Sequence, residues 1–262
     1  MEERNLVRIN EIYDVRMFAG DDNPVPRYMG TIGFYNNGYW TGTEQSLEHA
    51  QINLIETLVA FLVNKRGNLL DVACGKGAST RFLTKYFESE KITAINISEK
   101  QLAVARLMAP ACDFRLMDAA SLDFADASFE NVLCIEAAFH FQTRERFLRE
   151  ACRVLKPAGR LAMSDVLLRP DAGTQCGWRS IYPAENYLAS LDDLRALLLS
   201  AGFSYVRVED SFEQSLKPLR RYFCETLERD MRIEPELAAK TLREVERGFD
   251  DHITACMVYA LK

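Results

Sequence analysis

Between residues 68 and 210, short apolar runs alternate with stretches in which apolar residues recur at helical spacing. The first run begins at Asn68 and ends at Cys74, and a helical pattern follows it directly. The same order then repeats along the chain. Strands that alternate with helices are joined by right-handed crossovers, which build a mostly parallel sheet with helices on both faces. The sequence therefore predicts a Rossmann-like, doubly wound α/β fold with seven strands.

Capping and breaking residues bound several of these elements. Ser98 is expected to cap a helix that Pro110 ends, and Gly202 is expected to close another. Ser46 opens an earlier helix, which Gly67 is expected to stop. The predicted strands span residues 68–74, 91–97, 113–117, 131–135, 159–168, 205–209 and 253–261. The predicted helices include residues 78–87, 144–155, 190–201 and most of 212–249.

The first 45 residues contain two turn-rich stretches, at residues 21–26 and 35–40. The sequence therefore predicts an irregular segment there. We interpret residues 1–45 as an N-terminal lid and residues 46–262 as the main domain. Within that domain, residues 168–189 and 212–249 are interpreted as insertions that cover a substrate.

Charge and composition exclude several classes of protein. The net charge of −6 argues against a protein that binds nucleic acid by neutralising phosphates. No apolar run approaches the ~20 residues that a membrane span needs, and the start of the chain does not resemble a signal peptide. We therefore expect a cytoplasmic protein. The 7 cysteines include no CxxC pair and the 3 histidines lack ligand spacing, so no metal site is predicted.

The first strand ends in a short glycine-containing segment, Leu-Leu-Asp71-Val-Ala-Cys-Gly75-Lys-Gly77. In a parallel sheet, ligands bind at the carboxyl ends of the strands. The two glycines allow a tight turn, and the helix after them offers free N–H groups. Thr80 stands where a dinucleotide motif has its third glycine, and no Walker A loop is present. The carboxylate of Asp71 favours a ligand that carries an ammonium group.

This segment resembles motif I of the class I S-adenosylmethionine-dependent methyltransferases. Four further segments resemble the family in the same order along the chain, and together the matches cover residues from about 45 to 205. These segments are residues 95–102, 118–120, 122–132 and 154–161. The resemblance implies S-adenosylmethionine as the cofactor and S-adenosylhomocysteine as its product. The sequence is similar to small-molecule O-methyltransferases that act on sugars and other natural products.

The resemblance also implies a set of residues that hold the cofactor. Gly75 and Gly77 would pass under its methionine part, with Asp71 on the ammonium side. Asn96 stands where many members have an acidic residue that binds the ribose hydroxyls. Asp118 matches the residue that contacts the adenine amino group. The full implied set is Asp71, Ala73, Gly75, Gly77, Asn96, Ile97, Gln101, Asp118, Ala119 and Glu136.

The predicted reaction centre follows the fourth strand, in Glu136-Ala-Ala-Phe-His140-Phe. His140 is a candidate general base because its unperturbed pKa lies near neutrality, although it could also be a packed ring. A pair between His140 and Asp165 is expected, with Asp165 orienting the imidazole. This pair would be similar to the one in O-methyltransferases of glycosylated natural products. Glu136 could instead be the base, or could cap the helix after it.

Aromatic residues in the lid segments suggest an acceptor that is largely apolar and covered when bound. The predicted substrate-binding residues are Tyr13, Tyr39, Trp40, Phe139, His140, Trp178 and Tyr182. The sequence thus predicts methyl transfer to a hydroxyl of a small, apolar or glycosylated metabolite. Two alternatives stay open: C-methylation of an isoprenoid or activated ring, and a cyclase or binding protein that no longer transfers methyl groups. A homodimer is also left open.

Overall fold

The computed structural model describes residues 2–18, 29, 33–42, 46–172, 179, 181–230, 233–248 and 252–262. Within them, seven strands form a sheet in the order β3-β2-β1-β4-β5-β7-β6. The strands are β1 (Leu69–Val72), β2 (Ile92–Asn96), β3 (Asp113–Leu116), β4 (Phe129–Ile135), β5 (Leu155–Leu168), β6 (Tyr205–Asp210) and β7 (Ile253–Leu261). The predicted seven-stranded, Rossmann-like architecture is confirmed.

The pairing of the strands brings five carboxyl ends to one edge of the sheet. Strands β1 to β5 pair in parallel, whereas β7 runs antiparallel between β5 and β6. The strand order changes direction between β1 and β4, which are neighbours in the sheet. Such a switch point leaves a crevice at the carboxyl ends of the strands, where ligands bind in this class of fold.

Several helices begin after residues whose side chains cap them. Ser98 accepts a hydrogen bond from the Gln101 N–H, as predicted, and Ser190 forms a capping box with Asp193. Among the described helices, none is long and apolar enough to cross a bilayer. They are α1 (Glu2–Phe18), α2 (Leu47–Phe61), α3 (Ala78–Leu83), α4 (Glu99–Met108), α5 (Arg144–Val154), α6 (Leu191–Ser200), α7 (Leu216–Arg229) and α8 (Pro235–Gly248).

Apolar side chains fill both faces of the sheet. All four residues of β1 are buried, which is typical of a parallel strand between two layers of helices. Leu69 packs into a cluster with Leu58 of α2 and Phe82, whereas Leu70 packs into the opposite cluster with Phe147 of α5. The sheet is therefore rigid where its strands end, and it can hold side chains there in fixed positions.

Several predicted elements and boundaries differ from the structure. Residues 2–18 form helix α1 and are not irregular, because Leu6, Ile9, Tyr13 and Met17 recur at helical spacing and face the domain. Helix α2 ends at Phe61, before Gly67, since Leu62 is already extended. Strand β5 begins at Leu155, four residues before the predicted start, because pairing with β4 begins there.

Candidate active site

A cavity of about 530 Å³ opens at the carboxyl ends of β1, β2 and β4. Its floor is made by the residues that follow these strands. Its opposite wall is made by one face of α1, and part of its apolar side comes from Leu219 and Phe223 of α7. The volume is in the range of a small-molecule site, and its position is the one that the fold predicts.

The two glycines after β1 have different tasks. Gly75, with φ of +56°, lines the cavity, and the nearest atom to a Cβ placed on it is Cε of Met17, 3.6 Å away. Gly77, with φ of +84°, does not line the cavity. A Cβ on Gly77 would lie 2.7 Å from Cβ of Ala105 in α4. The absence of a side chain at Gly75 therefore lets a ligand approach the backbone closely, whereas its absence at Gly77 permits close packing of α4 against the loop.

The carboxyl group of Asp71 lies at the end of β1 and is 1% exposed. Its Oδ2 accepts a hydrogen bond of 2.7 Å from the hydroxyl of Thr80. Burial raises the pKa of Asp71 to about 7, because the carboxylate has lost its hydration. A cation in the cavity would favour the charged form, so Asp71 is suited to hold an ammonium group.

Asn96, at the end of β2, braces the glycine loop. Its Nδ2 donates to the carbonyl of Gly75, at 3.3 Å, and to Oε1 of Gln101, at 2.9 Å. Its Oδ1 accepts from the N–H of Ile97. Both amide hydrogens are thus used inside the protein, and Oδ1 is left to accept from a ligand hydroxyl.

The same polar network reaches helix α1. Oδ1 of Asp14 accepts hydrogen bonds from Oγ of Ser98, at 2.7 Å, and from Nε2 of Gln101, at 2.8 Å. At the end of the helix, Nζ of Lys76 donates to the carbonyl of Met17 at 2.9 Å. These contacts hold α1 across the mouth of the cavity.

Glu136 follows β4 and points into the cavity. Its φ of +47° is unusual for a residue with a side chain, and Oε2 accepts a hydrogen bond of 2.9 Å from the N–H of Asn37. Burial raises the pKa of Glu136 to about 8. The carboxyl group is therefore mostly protonated at pH 7 in the ligand-free protein.

The Gly-Tyr-Trp element at residues 38–40 shapes the segment that touches Glu136. A Cβ on Gly38 would lie 2.7 Å from Cβ of Ala50 in α2, so this position needs a glycine. Nε1 of Trp40 donates to the carbonyl of Asn37 at 3.2 Å. Neither Tyr39 nor Trp40 lines the cavity, so this element supports the wall from behind.

His140 lies in a single turn after β4 and is 7% exposed. Its Nδ1 lies 2.8 Å from the carbonyl oxygen of Ile181, and its Nε2 is hydrogen-bonded to the hydroxyl of Tyr13 in α1. A carbonyl oxygen can only accept, so Nδ1 carries the proton and Nε2 of the neutral ring is an acceptor. The acceptor nitrogen is on the side where Tyr13 contributes to the cavity wall.

The expected pair of His140 with Asp165 does not form. Oδ2 of Asp165 accepts a hydrogen bond of 2.7 Å from Nε of Arg144, and both side chains are buried. The other nitrogens of Arg144 donate to the carbonyls of Asn186 and Val166. A buried carboxylate is stabilised far more by a guanidinium than by a neutral imidazole, and Arg144 supplies a guanidinium at hydrogen-bond distance.

Asn186 connects this buried pair to the turn that carries His140. Its Oδ1 accepts from the N–H of Arg144 at 2.7 Å, and its Nδ2 donates to the carbonyls of Phe139 and Phe141. Asp165, Arg144 and Asn186 therefore form a structural network behind the turn of residues 138–140. Neither Arg144 nor Asn186 was predicted as a site residue. A charged residue at the start of a helix does not reveal its partner, and Asp165 is 21 residues after Arg144.

The predicted aromatic contacts divide into three groups. Tyr13, Phe139 and His140 line the cavity. Tyr182 does not line it: the ring stacks on Phe139 at 4.8 Å between centroids, and the hydroxyl donates to the carbonyl of Val166. Trp178 lies outside the described residues.

The remaining predicted cofactor residues lie together around the cavity. Asp118 and Ala119, after β3, line it beside Ile97 and Met117. Oδ1 of Asp118 accepts a hydrogen bond of 2.9 Å from the N–H of Ala120, which holds the carboxyl group at the strand end. Ala73 and Glu136 also line the cavity. Gly77 is the one predicted cofactor-binding residue that does not line it.

These residues fit S-adenosylmethionine. Asp71 offers a buried carboxyl without a protein cation among the described residues, which suits an ammonium group. Gly75 leaves room for close approach, and the side chains around Asp118 form a largely apolar slot with one polar edge. Within the described ranges, no cluster of three His, Cys, Asp or Glu side chains could hold a metal ion.

Comparison with known proteins agrees with this geometry. A family model described as a methyltransferase domain matches residues 70–163. The 27-O-demethylrifamycin SV methyltransferase of Amycolatopsis mediterranei is 35% identical over 187 residues, which cover 67% of this chain and 68% of that protein. The O-methyltransferase cnsE of Penicillium expansum is 31% identical over 240 residues, or 82% of this chain and 86% of that one.

The fold is also shared with solved structures. The mycolic acid cyclopropane synthase CmaA1, complexed with SAH and CTAB, superposes with a TM-score of 0.77 at 17% identity. The superposition covers 98% of both chains. At this identity the likeness shows the common architecture, from the first helix to the last strand.

Proposed function

Since the chain belongs to the S-adenosylmethionine-dependent methyltransferases, we propose that it methylates a hydroxyl group of a small metabolite, with His140 as the general base. The acceptor is largely apolar or glycosylated, and the reaction belongs to natural-product biosynthesis. Two relatives named for methyl transfer in the rifamycin series and for O-methyl transfer support oxygen as the methylated atom.

The arrangement of His140 carries this proposal. Its Nδ1 donates to the carbonyl of Ile181, and its Nε2 accepts from the hydroxyl of Tyr13. In the reaction, a substrate alcohol would place its own hydroxyl group on the cavity side of Nε2. The acceptor hydroxyl takes the place of the Tyr13 hydroxyl at Nε2 and passes its proton to that nitrogen as its oxygen is methylated.

Glu136 is the competing candidate for the base. With a pKa of about 8 in the ligand-free protein, the Glu136 carboxyl is mostly protonated at pH 7, which favours His140 as the base. It is suited to donate a hydrogen bond to the cofactor or acceptor. The ring of His140 donates from Nδ1 to the carbonyl of Ile181, so Nε2 is the nitrogen that can take the proton.

In this proposal the residues at the ends of β1, β2 and β3 would hold the cofactor. Asp71 would bind its ammonium group, the backbone at Gly75 would contact its methionine part, Asn96 would accept from a ribose hydroxyl through Oδ1, and Asp118 would contact the adenine amino group. When bound, it supplies a methyl group on a positively charged sulfur. This chain's residues contribute position, the base and a site from which water is excluded.

The acceptor occupies the part of the cavity beyond His140. Phe139 and Ile181, together with Leu219 and Phe223 of α7, contribute apolar side chains to the cavity lining. In this proposal helix α1 would cover both ligands, as part of the N-terminal lid of residues 1–45. An apolar compartment closed by a helix favours an apolar acceptor with one reactive hydroxyl over a highly charged one.

The proposal is tested with S-adenosylmethionine labelled in its methyl group. The protein is incubated with hydroxylated polyketides, phenols and glycosides, and the labelled atom in each product is located by NMR. We expect the label on oxygen. For an accepted compound, His140→Ala should lower kcat by about 10²–10⁴-fold, with little change in the affinity for S-adenosylhomocysteine.

Two variants serve as controls. His49→Ala removes an exposed histidine from α2 and should keep wild-type kcat, whereas Glu136→Gln should cost much less kcat than His140→Ala. A label on carbon would favour C-methylation. Full activity of His140→Ala, or a larger loss in Glu136→Gln, would contradict the role of His140.

A further inference from the structure

Helix α1 contains a polar atom that the structure leaves without a partner. Oδ1 of Asn10 is shielded from solvent and accepts no hydrogen bond. Buried side-chain oxygens in folded proteins are nearly always paired, so an exception points to a partner that binds later. None of the residues proposed above to hold the cofactor or the acceptor accounts for this oxygen.

Asn10 faces the ligand space. It lines the main cavity with Leu6, Ile9, Tyr13 and Met17, which form one stripe along α1. It also lines a smaller neighbouring recess, together with Ile97, Met117 and Asp118. Asn10 is therefore beside the ends of β2 and β3, the region proposed above for the adenine ring.

The order of contacts along α1 matches the proposed order of the cofactor's parts along the strand ends. Asn10 lies by Asp118, Tyr13 contacts His140, and the carbonyl of Met17 accepts from Lys76 in the glycine loop. The helix rises 1.5 Å per residue, so Asn10 and Met17 are roughly 10 Å apart. An extended cofactor with its adenosine near Asp118 and its amino acid near Gly75 would lie along this stripe.

The contacts of Asp14 fix the rotation of the helix. Its carboxylate accepts from Ser98 and Gln101, which follow β2 and belong to the same corner of the site. Because Asn10 is one turn before Asp14, it is held on the same face of α1. The orientation of the Asn10 amide toward the cavity is thus set by the fold.

We propose that Asn10 binds the edge of the adenine ring, opposite Asp118, so that the lid helix itself recognises the base of the cofactor. An asparagine amide matches adenine because its oxygen accepts from the N6 amino group while its NH₂ donates to a ring nitrogen. Hypoxanthine has an oxygen in place of that amino group, so the match is lost. The inference rests on the cofactor placement given under the proposed function.

The test compares two ligands by calorimetry, without turnover. S-adenosylhomocysteine and S-inosylhomocysteine differ in the base alone. Both are titrated into the wild type, Asn10→Ala and Asn10→Leu. Glu11→Ala, which removes an exposed side chain from the next position of α1, is the matched control. Far-UV circular dichroism and thermal melting of each ligand-free variant check that it is folded.

We expect the wild type and Glu11→Ala to bind the adenine ligand much more tightly than the hypoxanthine ligand. In both Asn10 variants the ratio of the two dissociation constants should fall by about tenfold, which is the size of one specific base contact. If an Asn10 variant weakens both ligands equally, or neither, Asn10 does not read the base and the proposal is wrong.

A separate variant distinguishes failure of the underlying placement. Gly75→Leu puts a side chain into the cavity at a backbone position with positive φ, and it should abolish binding of both ligands. If Gly75→Leu binds S-adenosylhomocysteine as the wild type does, the cofactor lies elsewhere. That result would overturn the placement and this inference together, whereas a failure at Asn10 alone leaves the placement intact.

Discussion

The ends of β1 and β5 both carry a buried aspartate, yet the two sites have different chemistry. Asp71 and Asp165 are each 1% exposed. Asp71 meets the neutral hydroxyl of Thr80, whereas Asp165 is paired with the guanidinium of Arg144. Burial raises the pKa of both carboxyls, and Arg144 opposes this rise at Asp165.

The difference separates a ligand site from a structural one. The protein supplies its own cation to Asp165, and the resulting pair holds the turn of His140 through Asn186. Asp71 faces the cavity without such a cation among the described residues, so a ligand can supply it. A buried acid at a strand end therefore indicates a ligand site when the protein supplies no cation to it, and a structural role when the protein does supply one.

The largest expected effect tests the structural role of Asp165 and concerns the free energy of unfolding. Arg144→Met removes the cation and leaves Asp165 buried and unpaired, which should lower the free energy of unfolding by about 3–5 kcal/mol. Urea unfolding followed by circular dichroism measures it. Replacing both residues, as in Arg144→Met with Asp165→Leu, should recover much of the loss because no buried charge is then left alone.

A matched control is available on the same helix. Arg149 pairs with Glu145 on the exposed face of α5, and Arg149→Met should hardly change stability. If Arg144→Met is no less stable than Arg149→Met, the pair of Arg144 and Asp165 does not have the structural role described here.

The next effect concerns cofactor affinity. Asp71→Asn keeps the size of the side chain and its bond to Thr80 but cannot become negative. It should weaken binding of S-adenosylhomocysteine by about 1.5–3 kcal/mol, or roughly ten- to a hundredfold. Ligand-free stability should not fall, because no buried charged pair is broken. Calorimetry and thermal melting measure the two quantities, and loss of stability without loss of affinity would reverse the assignment.

A smaller effect is expected at the lid. Asp14→Ala removes the two hydrogen bonds from Ser98 and Gln101 that hold α1 in place. Each such bond contributes about 1 kcal/mol, so cofactor affinity should fall by about five- to thirtyfold. Hydrogen exchange of the α1 amides should become faster. Exchange that stays at the wild-type rate would mean that other contacts hold the helix.

The sheet and the cofactor side could be predicted from the sequence because their determinants are local. The strand patterns and caps lie within short segments, and the glycine loop follows β1 directly. Nine of the ten predicted cofactor residues line one cavity. Gly77 does not. Its lack of a Cβ makes room for Ala105 of α4, a contact between the glycine loop and a helix that the sequence does not show.

The acceptor side was harder to predict because its contacts are long-range. His140 was found at the right strand end, but the choice of Arg144 over His140 as partner of Asp165 depends on packing in three dimensions. The helical spacing of Leu6, Ile9 and Tyr13 indicates helix α1, but the turn-forming residues that follow it led to the prediction of an irregular segment. Two of its polar residues were therefore missed: Asn10, which lines the cavity, and Asp14, which accepts from Ser98 and Gln101.

The central claim, that Asp71 is left for the cation of the cofactor, is tested most directly by counting protons on binding. In the ligand-free protein Asp71 has a pKa of about 7, so at pH 6 it is mostly protonated. An ammonium group beside it favours the carboxylate and lowers that pKa. Binding at pH 6 must then release a proton, and affinity must rise with pH up to about 7.

S-adenosylhomocysteine is titrated into the protein at pH 6 in two buffers of different ionisation enthalpy, and the number of protons released is obtained from the difference in heat. We predict release of close to one proton in the wild type, with most of it lost in Asp71→Asn. Equal proton release in both proteins, or none in the wild type, would contradict the claim that the ammonium group of the cofactor pairs with Asp71.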